Sequence, residues 1–148
     1  MSMTIKESGM KFPVLRISDT HIAKIQNQER LGWTSQKYYD MGGLKKNTRL
    51  IDIDGNEYVV ENVVKRRRSW NPLNWLAPSP IILVNLYVSR QRKMAFEQIR
   101  NCVLDKVIKK KWFRQGGQNE TQFRDMINET KTIAELFEKI SFYGKFQG

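Results

Sequence analysis

Asp52 and Asp54, two residues apart and followed by Gly55, are the first place in this sequence where side chains could do chemistry. Paired aspartates at that spacing occur in calcium loops, which hold a hard cation through oxygen ligands, and in the nucleophile motif of certain phosphatases. A calcium loop needs a third oxygen ligand before its glycine and a glutamate near its end, and the phosphatase motif needs Thr or Val after its second aspartate. Here Gly55-Asn56-Glu57 runs directly into a β-rich stretch, so the pair reads as a hairpin turn. His21 is the sole histidine, which leaves no histidine pair for a metal and rests any acid-base role, with Asp19 as its neighbour, on one ring. Ser18-Asp19-Thr20 beside it reads as a helix cap. Cys102, the one cysteine, falls inside an amphipathic stretch next to Val103, where a thiol serves as a small core residue. Glycine-rich dinucleotide loops, phosphate-binding Gly-Lys-Ser or Gly-Lys-Thr loops and the Gly-x-Ser-x-Gly elbow are missing from the sequence. The expectation is a chain that is not an enzyme, with no catalytic residues, no metal site and no cofactor.

Charge points to binding instead. The net charge is +11, and its distribution is uneven. Residues 1–64 hold nine basic and eight acidic side chains, and residues 116–148 hold four and five. Residues 65–115 hold thirteen basic against two acidic, so the middle third carries the whole excess. Such asymmetry favours an anionic partner. Its densest part is Lys65-Arg66-Arg67-Arg68-Ser69-Trp70-Asn71-Pro72-Leu73-Asn74-Trp75, where a basic run meets two tryptophans on what reads as a long loop over residues 66–80. Arginine and tryptophan dominate protein interfaces, and cations beside aromatic faces also grip phosphates while stacking bases. The candidate binding residues are Lys65, Arg66, Arg67, Arg68, Trp70 and Trp75, with Lys106, Lys109 and Lys110 from a basic helix face farther on.

The elements that position these residues follow from patterning. With 148 residues and 40% hydrophobic content, one domain with a continuous core is expected. No apolar run approaches the ~20 residues that span a bilayer, and residues 1–10 lack the apolar stretch of a secretory signal, so the expected location is the cytoplasm. Residues 12–17 read as a strand at a sheet edge, with Pro13 near its start. Residues 21–39 read as short helical pieces, broken at Gly32-Trp33-Thr34. Two β-rich runs around Asp54-Gly55 form a hairpin, because that dipeptide accepts the positive φ angles of a tight turn. Residues 81–88, apolar at nearly every position, read as a central strand covered on both faces. Residues 92–112 place Phe96, Ile99, Val103 and Val107 on one stripe and Lys93, Arg100, Lys106, Lys109 and Lys110 opposite, a helix stopped by Gly116-Gly117. Asn119, with Gln122 three residues on, caps a second helix, and Thr132 with Glu135 opens a third. Strands first and helices last describe an α+β fold, a small antiparallel sheet covered by C-terminal helices.

The end of the chain carries a resemblance. Thr132-Ile133-Ala134-Glu135-Leu136-Phe137, followed by Ile140-Ser141-Phe142-Tyr143-Gly144, resembles the ending of small bacterial immunity proteins that protect a cell against a polymorphic or contact-dependent toxin. The resemblance implies a toxin partner with an acidic face and inhibition by stoichiometric occlusion. Immunity proteins to nucleases are often acidic, and this basic chain departs from that habit. The reading is therefore an immunity-type inhibitor that meets an acidic protein through residues 65–75 and the basic helix face, with nucleic-acid binding through the same residues as the alternative.

Overall fold

A computed structural model describes residues 2–45, 47–68, 81–140 and 143–144. The fold is α+β: one antiparallel sheet of eight strands with short helices on one face and longer C-terminal helices on the other.

The N-terminal half supplies β1 (Met3–Thr4), α1 (Ile5–Ser8), β2 (Val14–Ile17), β3 (His21–Ile25), α2 (Gln28–Leu31), β4 (Trp33–Ser35), α3 (Gln36–Asp40) and β5 (Arg49–Ile51). A long ribbon follows, β6 (Asn56–Arg68) and β7 (Ile81–Lys93), and then α4 (Phe96–Lys110), a 3-10 turn (Trp112–Gly116), α5 (Glu120–Asn128), α6 (Ile133–Lys139) and β8 (Tyr143–Gly144). The strand order is β1-β7-β6-β5-β2-β3-β8, and β4 pairs separately with β7.

The Asp54-Gly55 hairpin forms as the sequence requires, with Arg49 opposite Val59 and Ile51 opposite Glu57. Gly55 takes φ +90°, a conformation that side chains resist. The strand over residues 12–17 is not an edge. It begins at Val14 and lies between β3 and β5, and a proline that precedes the paired residues costs the ladder nothing. The helical reading of residues 21–39 is also corrected in part. His21–Ile25 is a strand paired with β2, because Ser18-Asp19-Thr20 forms the tight turn of a β2–β3 hairpin and not a helix cap; the Ser18 amide donates to the His21 carbonyl at 3.0 Å. Two short helices do follow, α2 and α3, with β4 between them.

Two apolar clusters lie on opposite faces of the sheet. One gathers Val14, Ala23, Leu31, Tyr38, Leu50, Tyr58, Val60, Ile82, Val84, Leu86 and Val88 under the short helices. The other joins Leu15, Ile17, Ile22 and Ile51 to Ile99, Val103, Leu104 and Val107 of α4, Phe123 and Ile127 of α5, and Leu136 and Phe137 of α6. Their capping follows the sequence. Asn119 and Gln122 form a reciprocal box, and the Thr132 hydroxyl accepts the Glu135 amide at 3.1 Å. The α4 helix is shorter than the pattern suggests. Arg92 and Lys93 belong to β7, and Lys111 at φ +58° ends the helix before Gly116-Gly117, whose second glycine closes the 3-10 turn instead.

The expectation that residues 81–88 are covered on both faces fails. Burial alternates along β7: Ile82, Val84, Leu86 and Val88 are buried, whereas Ile81 and Asn85 are exposed and Leu83 and Tyr87 only partly covered. The C-terminal cluster takes no residue from β6 or β7, so among the described residues it leaves uncovered the ribbon's continuation of the face it covers on β2, β3 and β5, past the buried Glu57 and Ser89.

Candidate binding surface

The residues singled out for binding fall on two elements, α4, which reaches the β2–β3 turn directly, and β6, which meets α3 beside that turn. Lys65 and Arg66, read above as the start of a loop, lie within β6, as do the backbones of Arg67 and Arg68, because the ribbon continues far past the hairpin: Lys65 faces Val84 and Arg68 faces Ile82. Trp70 and Trp75, like most of that loop, lie outside the described residues. The Lys65 ammonium donates to Gln36 Oε1 of α3 at 2.7 Å, while Arg66 is exposed. Two residues along α3, the Tyr38 hydroxyl lies 3.3 Å from Thr20 Oγ1 of the β2–β3 turn. From the other face, Lys106 of α4 reaches the same turn and donates to Asp19 Oδ1 at 3.2 Å, and Asn47 donates to Oδ2 at 2.8 Å. The Asn47 amide first, and then the Lys106 ammonium, hold the Asp19 carboxyl below its usual range. Lys109 and Lys110 are exposed in the last turn of α4, where cations also suit the helix dipole. Lys65 and Lys106 are thereby each anchored, directly or through α3, at one end of the sheet, and each is partly covered. Among the described side chains of the set, Arg66, Lys109 and Lys110 are the exposed cations.

The ribbon supplies what the sequence did not reveal. Past Val59, β6 keeps β7 as its partner on one side, and among the described residues no strand lies on the other. Its ladder with β5 ends at the Arg49–Val59 pair, extended only by the Val60 amide donating to the Thr48 carbonyl at 3.3 Å. Among the described residues, 61–68 therefore form an open edge, with a run of four cations at its end. The bare face beside that edge is partly apolar: Trp33, Val64 and Ile81 are 38%, 43% and 44% exposed. Trp33, Leu83 and the backbone of Arg67 share one row across three strands, and the Arg30 guanidinium sits over the Trp33 ring at 5.2 Å from its centroid. Trp33 escaped the sequence reading because Gly32-Trp33-Thr34 reads as a break between helical pieces and not as a strand. Val64 and Leu83 escaped it because β-branched and aliphatic runs look alike whether one face or two are covered.

The groups weighed for catalysis are engaged elsewhere. Asp52 is fully buried and folds back on its own turn, its Oδ1 accepting the amides of Asp54 and Asn56 at 3.0 and 2.9 Å. His21 is buried, and its pKa is pushed down to about 4 by burial and then by the neighbouring Arg16 charge. Arg16 Nη2 donates to His21 Nε2 at 2.9 Å, so the ring proton belongs on Nδ1, which lies 2.9 Å from Thr20 Oγ1. Cys102 is partly buried against the C-terminal core and accepts from Arg49 Nη2 at 2.8 Å. Arg49 Nη1 meets Glu57 at 3.2 Å, and Arg92 meets the same carboxylate at 3.3 Å. No group of three or more His, Cys, Asp or Glu side chains gathers in a metal-holding arrangement among the described residues.

No family model matches the chain, and no curated protein or solved structure is significantly similar to it. Among the described residues no helix is long and apolar enough to cross a membrane.

Proposed function

We propose that this chain is a non-catalytic binding protein, an immunity-type inhibitor that occludes a toxin domain through an acidic surface on that partner. The observation that carries the reading is the open β6 edge over residues 61–68, which ends in Lys65, Arg66, Arg67 and Arg68. An unpaired edge offers main-chain donors and acceptors to a strand of another chain. Positive charge on that edge disfavours pairing with a second copy and favours an acidic segment, whose approach it also speeds.

The bare face beside the edge supports a protein partner over a nucleic acid. Trp33, Val64 and Ile81 offer apolar and aromatic area next to arginines, the mixture that fills the centre of protein interfaces. A track built for phosphates alone gains little from exposed valine and isoleucine. Lys109 and Lys110 on α4 extend the positive potential toward the β2–β3 turn and steer the partner in.

Binding of unrelated labelled oligonucleotides across a salt series tests this directly. The reading expects weak binding that is lost by physiological salt. Tight binding with a steep log-linear salt dependence, indifferent to sequence, would replace it with the nucleic-acid reading.

A further inference from the structure

Arg16 lies on the inner sheet face, in register with Ala23 of β3 and Leu50 of β5. A guanidinium carries five N–H donors. Among the described residues its acceptor is Nε2 of His21, and its Nε, shielded from solvent, meets none. No carboxylate among the described residues pairs with it. Asp19, three residues away on the adjoining turn, commits one oxygen to Lys106 and the other to Asn47. Burial works against the Arg16 charge, yet a guanidinium does not give up its proton in a protein. Arg16 is partly covered as a residue, with its Nε shut off from solvent, and a partly buried cation with no carboxylate partner among the described residues is stabilised by an anion brought to it.

The surroundings suit an anion with oxygens. Thr20 Oγ1 lies within 3.3 Å of the Tyr38 hydroxyl and 2.9 Å of His21 Nδ1, and Ser18 Oγ lies 3.2 Å from Thr20 Oγ1. Hydroxyls rotate to donate to whatever arrives. The neutral His21 ring fixes one arm of the fork and leaves Arg16 as the charge at this point.

We propose that Arg16, with the Thr20 and Tyr38 hydroxyls, forms a binding site for a small oxyanion, a carboxylate or phosphate group, at the β2–β3 turn. The planar fork meets two oxygens of such a group side by side, which chloride cannot reproduce. The site does not use the β6 edge, so its failure leaves the inhibitor reading standing.

His21 is the sole histidine, so its ring resonances are assigned without ambiguity. The full chain is titrated near neutral pH with sodium phosphate and, separately, with sodium acetate, against sodium chloride at matched ionic strength, while the ring resonances and the thermal midpoint are followed. A saturable shift of the His21 resonances, with a rise in midpoint, is expected for at least one oxyanion; a response to phosphate alone assigns a phosphate group, and to acetate alone a carboxylate. Arg16→Lys keeps the charge but loses the fork, and is expected to weaken binding at least tenfold. An unsaturated response equal to that of chloride overturns the proposal, as does saturable binding unchanged in Arg16→Lys. Should that variant not fold, Thr20→Ala on the partly exposed turn carries the same test, with a several-fold loss expected and unchanged affinity overturning the proposal.

Discussion

Asp52 and Asn56 close the turn that launches the ribbon: Asp52 Oδ1 accepts the Asn56 amide at 2.9 Å and Oδ2 accepts the Asn56 side-chain amide at 3.2 Å. The carboxylate that looked most like a metal ligand in the sequence is a buried brace for the hairpin. Asp52→Ala removes these bonds together with those from the Asp54 and Lys11 amides and leaves partly buried amides without an acceptor. The expected loss is about 2–4 kcal/mol, given that a hydrogen bond to a charged group contributes about 1.5–3 kcal/mol. Urea denaturation measures it, and a variant as stable as the parent would show that the turn holds without its brace.

Gly55 is expected to be the least replaceable glycine of the hairpin. At φ +90° a Cβ there would lie 2.7 Å from the Met94 carbonyl oxygen, and the Gly55 carbonyl itself accepts the Met94 amide at 2.8 Å. Gly117, at φ +71°, has open space around it. Gly55→Ala should therefore cost about 2–4 kcal/mol and Gly117→Ala about 1 kcal/mol, the first through collision and strain and the second through strain alone. Equal denaturation midpoints for the two variants would contradict this geometry.

Glu57 is nearly buried between two arginines, with its side chain 7% exposed. Glu57→Ala leaves the Arg49 charge uncompensated beside Cys102 and is expected to cost about 2–4 kcal/mol, whereas Glu57→Gln, which keeps an acceptor, should cost about half as much. Arg92, which is 54% exposed, should contribute little when replaced by Gln, because water compensates it. Denaturation of the three variants in parallel checks the order, and a larger effect at Arg92 than at Glu57 would contradict it.

His21 makes stability depend on pH in mildly acid solution. Its native pKa lies near 4, below the ordinary 6.5, so the unfolded chain binds the proton more readily. Stability therefore falls as pH drops from about 6.5 toward 4, by up to about 3 kcal/mol from this group, and this contribution stops changing below both values. His21→Gln should flatten that slope, which denaturation at a series of pH values would reveal. A slope unchanged in the variant would assign the acid sensitivity to carboxylates instead.

Much of the scaffold is legible in the sequence where one residue type has one physical use. Asp54-Gly55 announces the hairpin because few residues other than glycine accept the positive φ that Gly55 takes, and Asn119 with Gln122 announces a helix start because both partners of the box are visible. The β2–β3 turn is not legible, since Ser, Asp and Thr serve turns and caps alike. The bare face of the ribbon is hidden for a related reason. Ile81, Leu83 and Tyr87 alternate with buried neighbours, yet all belong to residue types that also fill interiors. Lys65 and Arg66 are legible as cations but not as a strand edge, because a basic run before a long loop gives no sign of where the ladder ends. Arg16 offers no signal at all, one arginine among strand residues whose lack of a carboxylate partner among the described residues is visible only in three dimensions.

The open basic edge as a protein-binding surface is the central claim. Capture of the tagged chain from its native lysate, with and without nuclease, beside the Lys65→Glu/Arg66→Glu double variant, tests it most directly. The account predicts one stoichiometric protein that survives nuclease and moderate salt, and at least a tenfold loss of that protein in the double variant with the thermal midpoint little changed. Nucleic acid as the captured species, vanishing with nuclease and with moderate salt, would contradict it.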